Sequence, residues 1–145
     1  MSINKTVKAD ATLIEDFKIE LHAGNHTLYI DQPPAMGGTD AGPNPLEFNL
    51  FSLVGCCVTI GNIVAKQKHL NIRKLSAHAE GDLNSEVFMG KNRDDRAGFQ
   101  TIRVVLDIDA DMTEEEKEAF AQEVSARCPV AENIVHPCAI KLSVN

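Results

Sequence analysis

The chain is short of positive charge. Fourteen Lys and Arg stand against 21 Asp and Glu in 145 residues, a formal net charge of -7. Nucleic-acid surfaces need clustered Lys and Arg, so this balance argues against such a partner. Much of the excess is local, because residues 107–118 carry Asp107, Asp109, Asp111, Glu114, Glu115, Glu116 and Glu118. No Cys-x-x-Cys pair occurs, which removes the common zinc-ribbon and thioredoxin patterns. Internal repeats, linkers and low-complexity segments are also missing, so residues 1–145 read as one domain with one core. The opening MSINKTVKAD has no apolar signal-peptide region. A cytoplasmic location is therefore expected, and in that compartment the four cysteines rest reduced.

What the chain has is one long apolar stretch, Pro43 to Leu70, carrying Cys56 and Cys57. Its apolar residues include Leu46, Phe48, Leu50, Phe51, Leu53, Val54, Val58, Ile60, Ile63 and Val64. At 100° per residue they cover nearly the whole circumference, the pattern of a helix buried on several sides. Pro45 suits a first helical turn, and Lys66, Lys68 and His69 suit the negative end of the helix dipole. Glu47, Asn49, Ser52 and Asn62 interrupt the run, so no membrane partner is expected.

Around this helix the periodicity predicts strands. Residues 3–9 alternate weakly, residues 13–22 better, and His26–Ile30 returns after a Gly24-Asn25 turn, giving an antiparallel meander. Residues 31–44 form a loop rich in Pro and Gly, either a wall over a site or a plain connector. Ile72–Leu83 and Phe99–Asp109 alternate as strands, with the polar loop 84–98 between them. Thr113 to Glu116 is a capping box that starts a helix with Phe120, Val124 and Cys128 on one stripe. Pro129 restarts a short helix over 130–135, and Cys138–Val144 alternates as a last strand. The fold class is α+β, mostly antiparallel sheet wrapped around a long buried central helix. One chain has too little else to cover a helix that is apolar all round, so an intimate homodimer is expected.

Cys56 and Cys128 both fall on inward-facing stripes. By itself such a pair is ordinary, since a free Cys packs as a small hydrophobe. Cys57, turned about 100° from Cys56, is expected in the core or the dimer interface. Cys128, His136 and Cys138 could share a zinc ion, but no fourth ligand is evident, so no metal is expected.

Two motifs sharpen this reading. PNPLEFNLFSLVGCC and, in the later helix, RCPVAENI resemble the OsmC/Ohr family, the osmotically inducible and organic hydroperoxide resistance proteins. The segment FMGKNRDDRAGFQTIRV between them is similar to one OsmC-like branch, and the resemblance runs from about Pro43 to the end. It implies an OsmC-like fold, an intertwined homodimer, and a thiol peroxidase with no cofactor that reduces organic hydroperoxides. By this resemblance Cys56 is the peroxidatic thiol and becomes a sulfenic acid. Cys128 is the resolving thiol that forms a disulfide with it, and a dithiol reductant resets the pair. The family pairs an Arg from the N-terminal strands with a Glu near the start of the central helix. Glu47 matches that Glu, yet the first Arg in this chain is Arg73. Arg93, Arg96, His22, His26, or Lys5 and Lys8 of a partner chain would have to supply the missing cation. Two other readings stand beside the enzyme: a non-catalytic OsmC-like protein binding a hydrophobic small molecule, and a thiol redox sensor.

Overall fold

The computed structural model describes residues 3–145 as a mixed α+β chain with two antiparallel sheets. It divides into two compact units, the first running to Asn49 and the second spanning Leu50–Asn145.

In the first unit, β1 (Asp10–Glu15), β2 (Lys18–Ala23) and β3 (His26–Ile30) form a sheet in sequence order. The meander is as expected, but its strands are offset. Residues 3–9 are not strand, and the stretch 13–22 is two strands split by a turn at Asp16-Phe17. Asp16 sits at φ 43 there, a left-handed conformation that Asp tolerates better than most residues. Alternation runs straight through this turn in the sequence, which is why hydrophobic period alone hides it.

The loop after β3 is organised by one buried carboxylate. Asp31 is 1% exposed. Its Oδ1 accepts the Gln32 N–H at 2.7 Å, and its Oδ2 accepts the Ala41 N–H at 3.0 Å, the Thr39 hydroxyl at 2.8 Å and the Thr39 N–H at 3.2 Å. Asp31 also donates its own N–H to the Pro43 carbonyl at 3.2 Å, closing the loop. A Cβ on Gly38 would run into the Gln32 carbonyl oxygen, and one on Gly42 into that of Tyr29, so both positions require glycine. The loop is thus a folded element with its own polar centre.

Those bonds set an acid limit. The Ala41 N–H first, then the Gln32 N–H and the Thr39 hydroxyl and N–H, hold the Asp31 carboxyl at about 2, below its ordinary 3.8. The folded chain therefore binds this proton less tightly than the unfolded chain. The resulting stability is full above pH 3.8 and is lost as pH falls from there toward about 2. Asp31→Asn should lower the thermal midpoint by several degrees at neutral pH, speed hydrogen exchange at the Thr39 and Ala41 amides, and remove most of the midpoint's change through that acid window. An unchanged midpoint and unchanged exchange would show that the loop is held by something else.

Helix α1 runs from Pro45 to Gln67, 23 residues, long and apolar enough by length and composition to cross a membrane. It starts with a reciprocal cap: the Glu47 N–H donates to Asn44 Oδ1 at 2.9 Å, and the Asn44 N–H donates to Glu47 Oε1 at 3.3 Å. It ends where His69 takes φ 54 and the Leu70 N–H reaches back to the Ala65 carbonyl at 2.8 Å. Only Leu53, Gly61, Val64 and Ala65 of this helix are buried. The expected burial is met along one stripe, and Phe51 and Ile63 stay exposed in the single chain.

In the second unit, β4 (Ile72–Asp82) and β5 (Thr101–Ala110) pair as a long antiparallel ribbon. Leu75, Leu106 and Ile108 point to the core. The other face carries Arg103 paired with Glu80 and Asp82, and Arg73 paired with Asp109 and Asp111. Between the strands lies α2 (Ser85–Phe88), a single turn capped by Asn84. Helix α3 (Glu114–Arg127) begins at the predicted cap, where the Glu116 N–H donates to Thr113 Oγ1 at 3.1 Å. Phe120 and Val124 on its stripe meet Val64 and Ala65 of α1 to form the core. Helix α4 (Pro129–Val135) follows after a break at Cys128, as Pro129 predicts.

One expected element is missing. Residues 138–144 form no strand in the single chain. Ile140, Leu142 and Val144 are each 90% exposed, so their alternation has no ladder to serve within this chain.

Candidate functional site: a cluster of three thiols

The α3 stripe carries Cys128 to the end of the core. Residues 120, 124 and 128 are spaced by four and so share one face, and that face lies on α1. At Cys128 the backbone turns to φ -80, ψ 109, which ends α3 and starts α4. The residue is 1% exposed, and its Sγ accepts the Ala131 N–H at 3.5 Å as the cap of α4. Pro129 enforces this arrangement, since it cannot continue α3 but fits the first turn of the next helix.

Cys56 and Cys57 stand in the middle of α1, and Cys57 packs against the core that Phe120 and Val124 of α3 share with α1, one turn before Cys128. All of these cysteines are free. Burial is the main cause that pushes the Cys56 thiol above its ordinary value; the Cys128 thiol adds to it, while the Val130 N–H, directed at the Cys56 sulfur, pulls the other way. The Cys57 thiol is pushed up to about 11, chiefly by burial and then by Cys128. The groups acting on Cys56 are the Cys128 thiol and a backbone amide, and no cation is among them. This matters because the thiolate is the reactive form.

Among the cations named from the sequence, His22 pairs with Glu20 at 2.6 Å. Outside that set, Arg127 pairs with Glu123 and Gln67. Arg93 and Arg96 belong to the exposed loop before β5. Glu47 spends its carboxylate on the helix cap, nine residues and roughly 13 Å of helix ahead of Cys56. Cys138 is exposed, and His136 pairs with Glu132 at 2.9 Å.

Cys57, expected in the core or the dimer interface, packs against the core cluster of Val64, Ala65, Phe120 and Val124.

The pattern of the OsmC-like protein family matches residues 38–143. The chain belongs to that family. Solved OsmC-like structures share its fold. An OsmC-like protein from Mycoplasma pneumoniae superposes with a TM-score of 0.80 at 24% identity, covering 93% of this chain and 91% of that one. An organic hydroperoxide resistance protein from Legionella pneumophila gives 0.64 at 20% identity, over 94% and 93% of the two chains. The organic hydroperoxide resistance protein of Bacillus subtilis gives 0.60 at 21%, over 92% and 93%. At these identities the likeness establishes the fold. A comparison with curated proteins finds no match.

Proposed function

We propose that this OsmC-like chain is a cysteine-based peroxidase for organic hydroperoxides. One observation carries the reading: the buried Cys128 ends the α3 stripe that packs on α1, the helix that carries Cys56, and the Cys128 thiol is among the groups that raise Cys56. Several similar structures are named organic hydroperoxide resistance proteins, which supports the same substrate class. The Cys56 thiolate attacks the O–O bond, takes one oxygen as a sulfenic acid and releases an alcohol once a proton is added. Cys128 attacks that sulfur, forming a disulfide and expelling water. A dithiol then returns both cysteines to thiols and is itself oxidised to a disulfide. Consumption of cumene hydroperoxide with dithiothreitol, in the wild type, Cys56→Ser and Cys128→Ser, tests this. Equal rates in all three discard it.

The working unit of this reading is a homodimer. Leu13 and Leu28 on the three-stranded sheet, Phe51 on α1, and the alternating tail from Ile140 to Val144 are all more than half exposed in one chain. In each unit, apolar surface of this kind marks an interaction surface, and a second copy matches it by symmetry. Sedimentation should give twice the chain mass at micromolar concentration. A well-folded monomer there would refute the dimer.

The raised thiols favour a second reading, a redox sensor. A Cys56 that is mostly protonated at neutral pH reacts slowly, and then the disulfide itself is the output. Turnover separates the two: a sensor consumes hydroperoxide once per chain and is reset too slowly by a dithiol to sustain a rate.

A further inference from the structure

We propose that the groove between the end of α1 and the start of β4 binds a small organic acid, a carboxylate on an apolar chain, at a site separate from the cysteines. The groove encloses about 480 Å³, inside the range of about 300–1,000 Å³ usual for small-molecule sites. Val58, Ala65, Ile72 and Leu75 give it apolar walls. Asn62, Lys66, Arg73 and Lys74 add polar groups, and no carboxylate lines it. Cys56 leaves α1 about 120–160° around the helix from Val58 and Asn62, so the thiols face elsewhere.

The groove is the positive part of an acidic chain. From Phe48 to Ala79 there is no Asp or Glu, and residues 66–74 carry Lys66, Lys68, His69, Arg73 and Lys74. Two local features bring these groups to the groove. At the end of α1, His69 takes φ 54 and the Leu70 N–H closes on the Ala65 carbonyl, so only residues 68–71 separate α1 from β4. In β4 a bulge at Arg73 lies between Ile72, opposite Ala110, and Lys74, opposite Asp109. A bulge re-aims side chains, and here four consecutive residues, 72 to 75, line the groove instead of alternating.

Arg73 is already occupied, holding Asp109 at 2.7 Å and Asp111 at 3.1 Å. Asp109, whose field reaches Lys74, is thereby taken. Among the described residues Lys66 and Lys74 form no ion pair, which leaves them as the available cations. An exposed ammonium group alone gains little from an anion in water, and an apolar wall alone does not prefer a charged molecule. Together they select a ligand with both parts. Its chain displaces water from Val58, Ala65 and Leu75 while its carboxylate meets Lys66 and Lys74.

Octanoate, 1-octanol and acetate, titrated separately into reduced, isotope-labelled protein at low salt, test this by amide chemical shifts. Octanoate should give saturable shifts centred on Asn62, Lys66, Ile72 and Lys74, with 1-octanol and acetate weaker there by roughly tenfold or more. Raising sodium chloride to about 0.5 M should weaken octanoate several-fold. The double variant Lys66→Glu, Lys74→Glu should weaken it by roughly tenfold or more while the fold persists by circular dichroism. The pair Lys66→Ala, Lys74→Ala serves if reversed charges disturb folding. Equal binding of octanoate and 1-octanol means an apolar surface only, and equal binding of octanoate and acetate means a charged patch only; either overturns the proposal. Absence of saturable shifts in the groove also overturns it, as when a second copy of the chain already fills that space.

Discussion

Cys56→Ser should abolish dithiol-dependent hydroperoxide consumption, a loss on the order of a thousandfold or more, the scale expected when a nucleophile is removed. A serine hydroxyl carries no useful anion near neutral pH and cannot hold the transferred oxygen in a form that a thiol can reduce. Cys128→Ser separates the two halves of the cycle. The first oxidation persists, so one equivalent is still consumed and dimedone labels Cys56, but steady turnover falls because nothing nearby closes a disulfide onto Cys56. Cys57 cannot substitute, since it is the next residue on the same helix. Loss of turnover in both variants with a trapped sulfenic acid in the second supports the two-thiol cycle. The pH profile adds a further signature. With the Cys56 thiol above its ordinary value, the reactive fraction grows about tenfold per pH unit from neutrality until the thiol ionises. A flat profile across pH 7 to 9 would instead mean that a cation, brought by a second copy of the chain, lowers that pKa in the assembled protein.

How far the sequence reached can be judged at particular residues. Phe120, Val124 and Cys128 were legible because a spacing of four has one structural meaning on a helix, and Thr113 and Pro129 marked the ends of that helix by local chemistry. The turn at Asp16-Phe17 was not legible, since an alternating pattern continues through a two-residue turn without a break in period. The Asp31 hub was hidden for another reason. A carboxylate that accepts amides eight and ten residues ahead leaves no periodic trace, and a loop rich in Pro and Gly looks the same whether it is folded or loose. Residues 138–144 were read from alternation, which reports that a segment can pair but not where its partner is. For the site, the Cys56 and Cys128 pairing came from the family motifs, whereas the packing of Cys57 against the core needed the relative placement of α1 and α3, a tertiary fact that no local pattern encodes.

That placement rests on a small core, which makes it fragile in a predictable way. Phe120 is 3% exposed and sits among Val64, Ala65 and Val124, with its ring over Gly61 of α1, where an added Cβ would come within 3.5 Å of Phe120 Cζ. Phe120→Ala should cost about 3–5 kcal/mol, the sum of lost burial and the cavity left behind. A protein of this size holds only about 5–15 kcal/mol in total, so the variant should unfold at a much lower urea concentration with an unchanged slope. The loss should be smaller in Phe120→Leu, which refills most of the space. Cys128 lies two helical turns further along the same stripe, so loosening the core here also loosens its approach to α1. Oxidation of the folded Phe120→Ala protein should therefore close the Cys56–Cys128 disulfide more slowly than in the wild type. A variant that loses less than about 1 kcal/mol would mean that α3 is held to α1 by contacts other than this ring. The tertiary origin assigned to the thiol cluster would then be wrong.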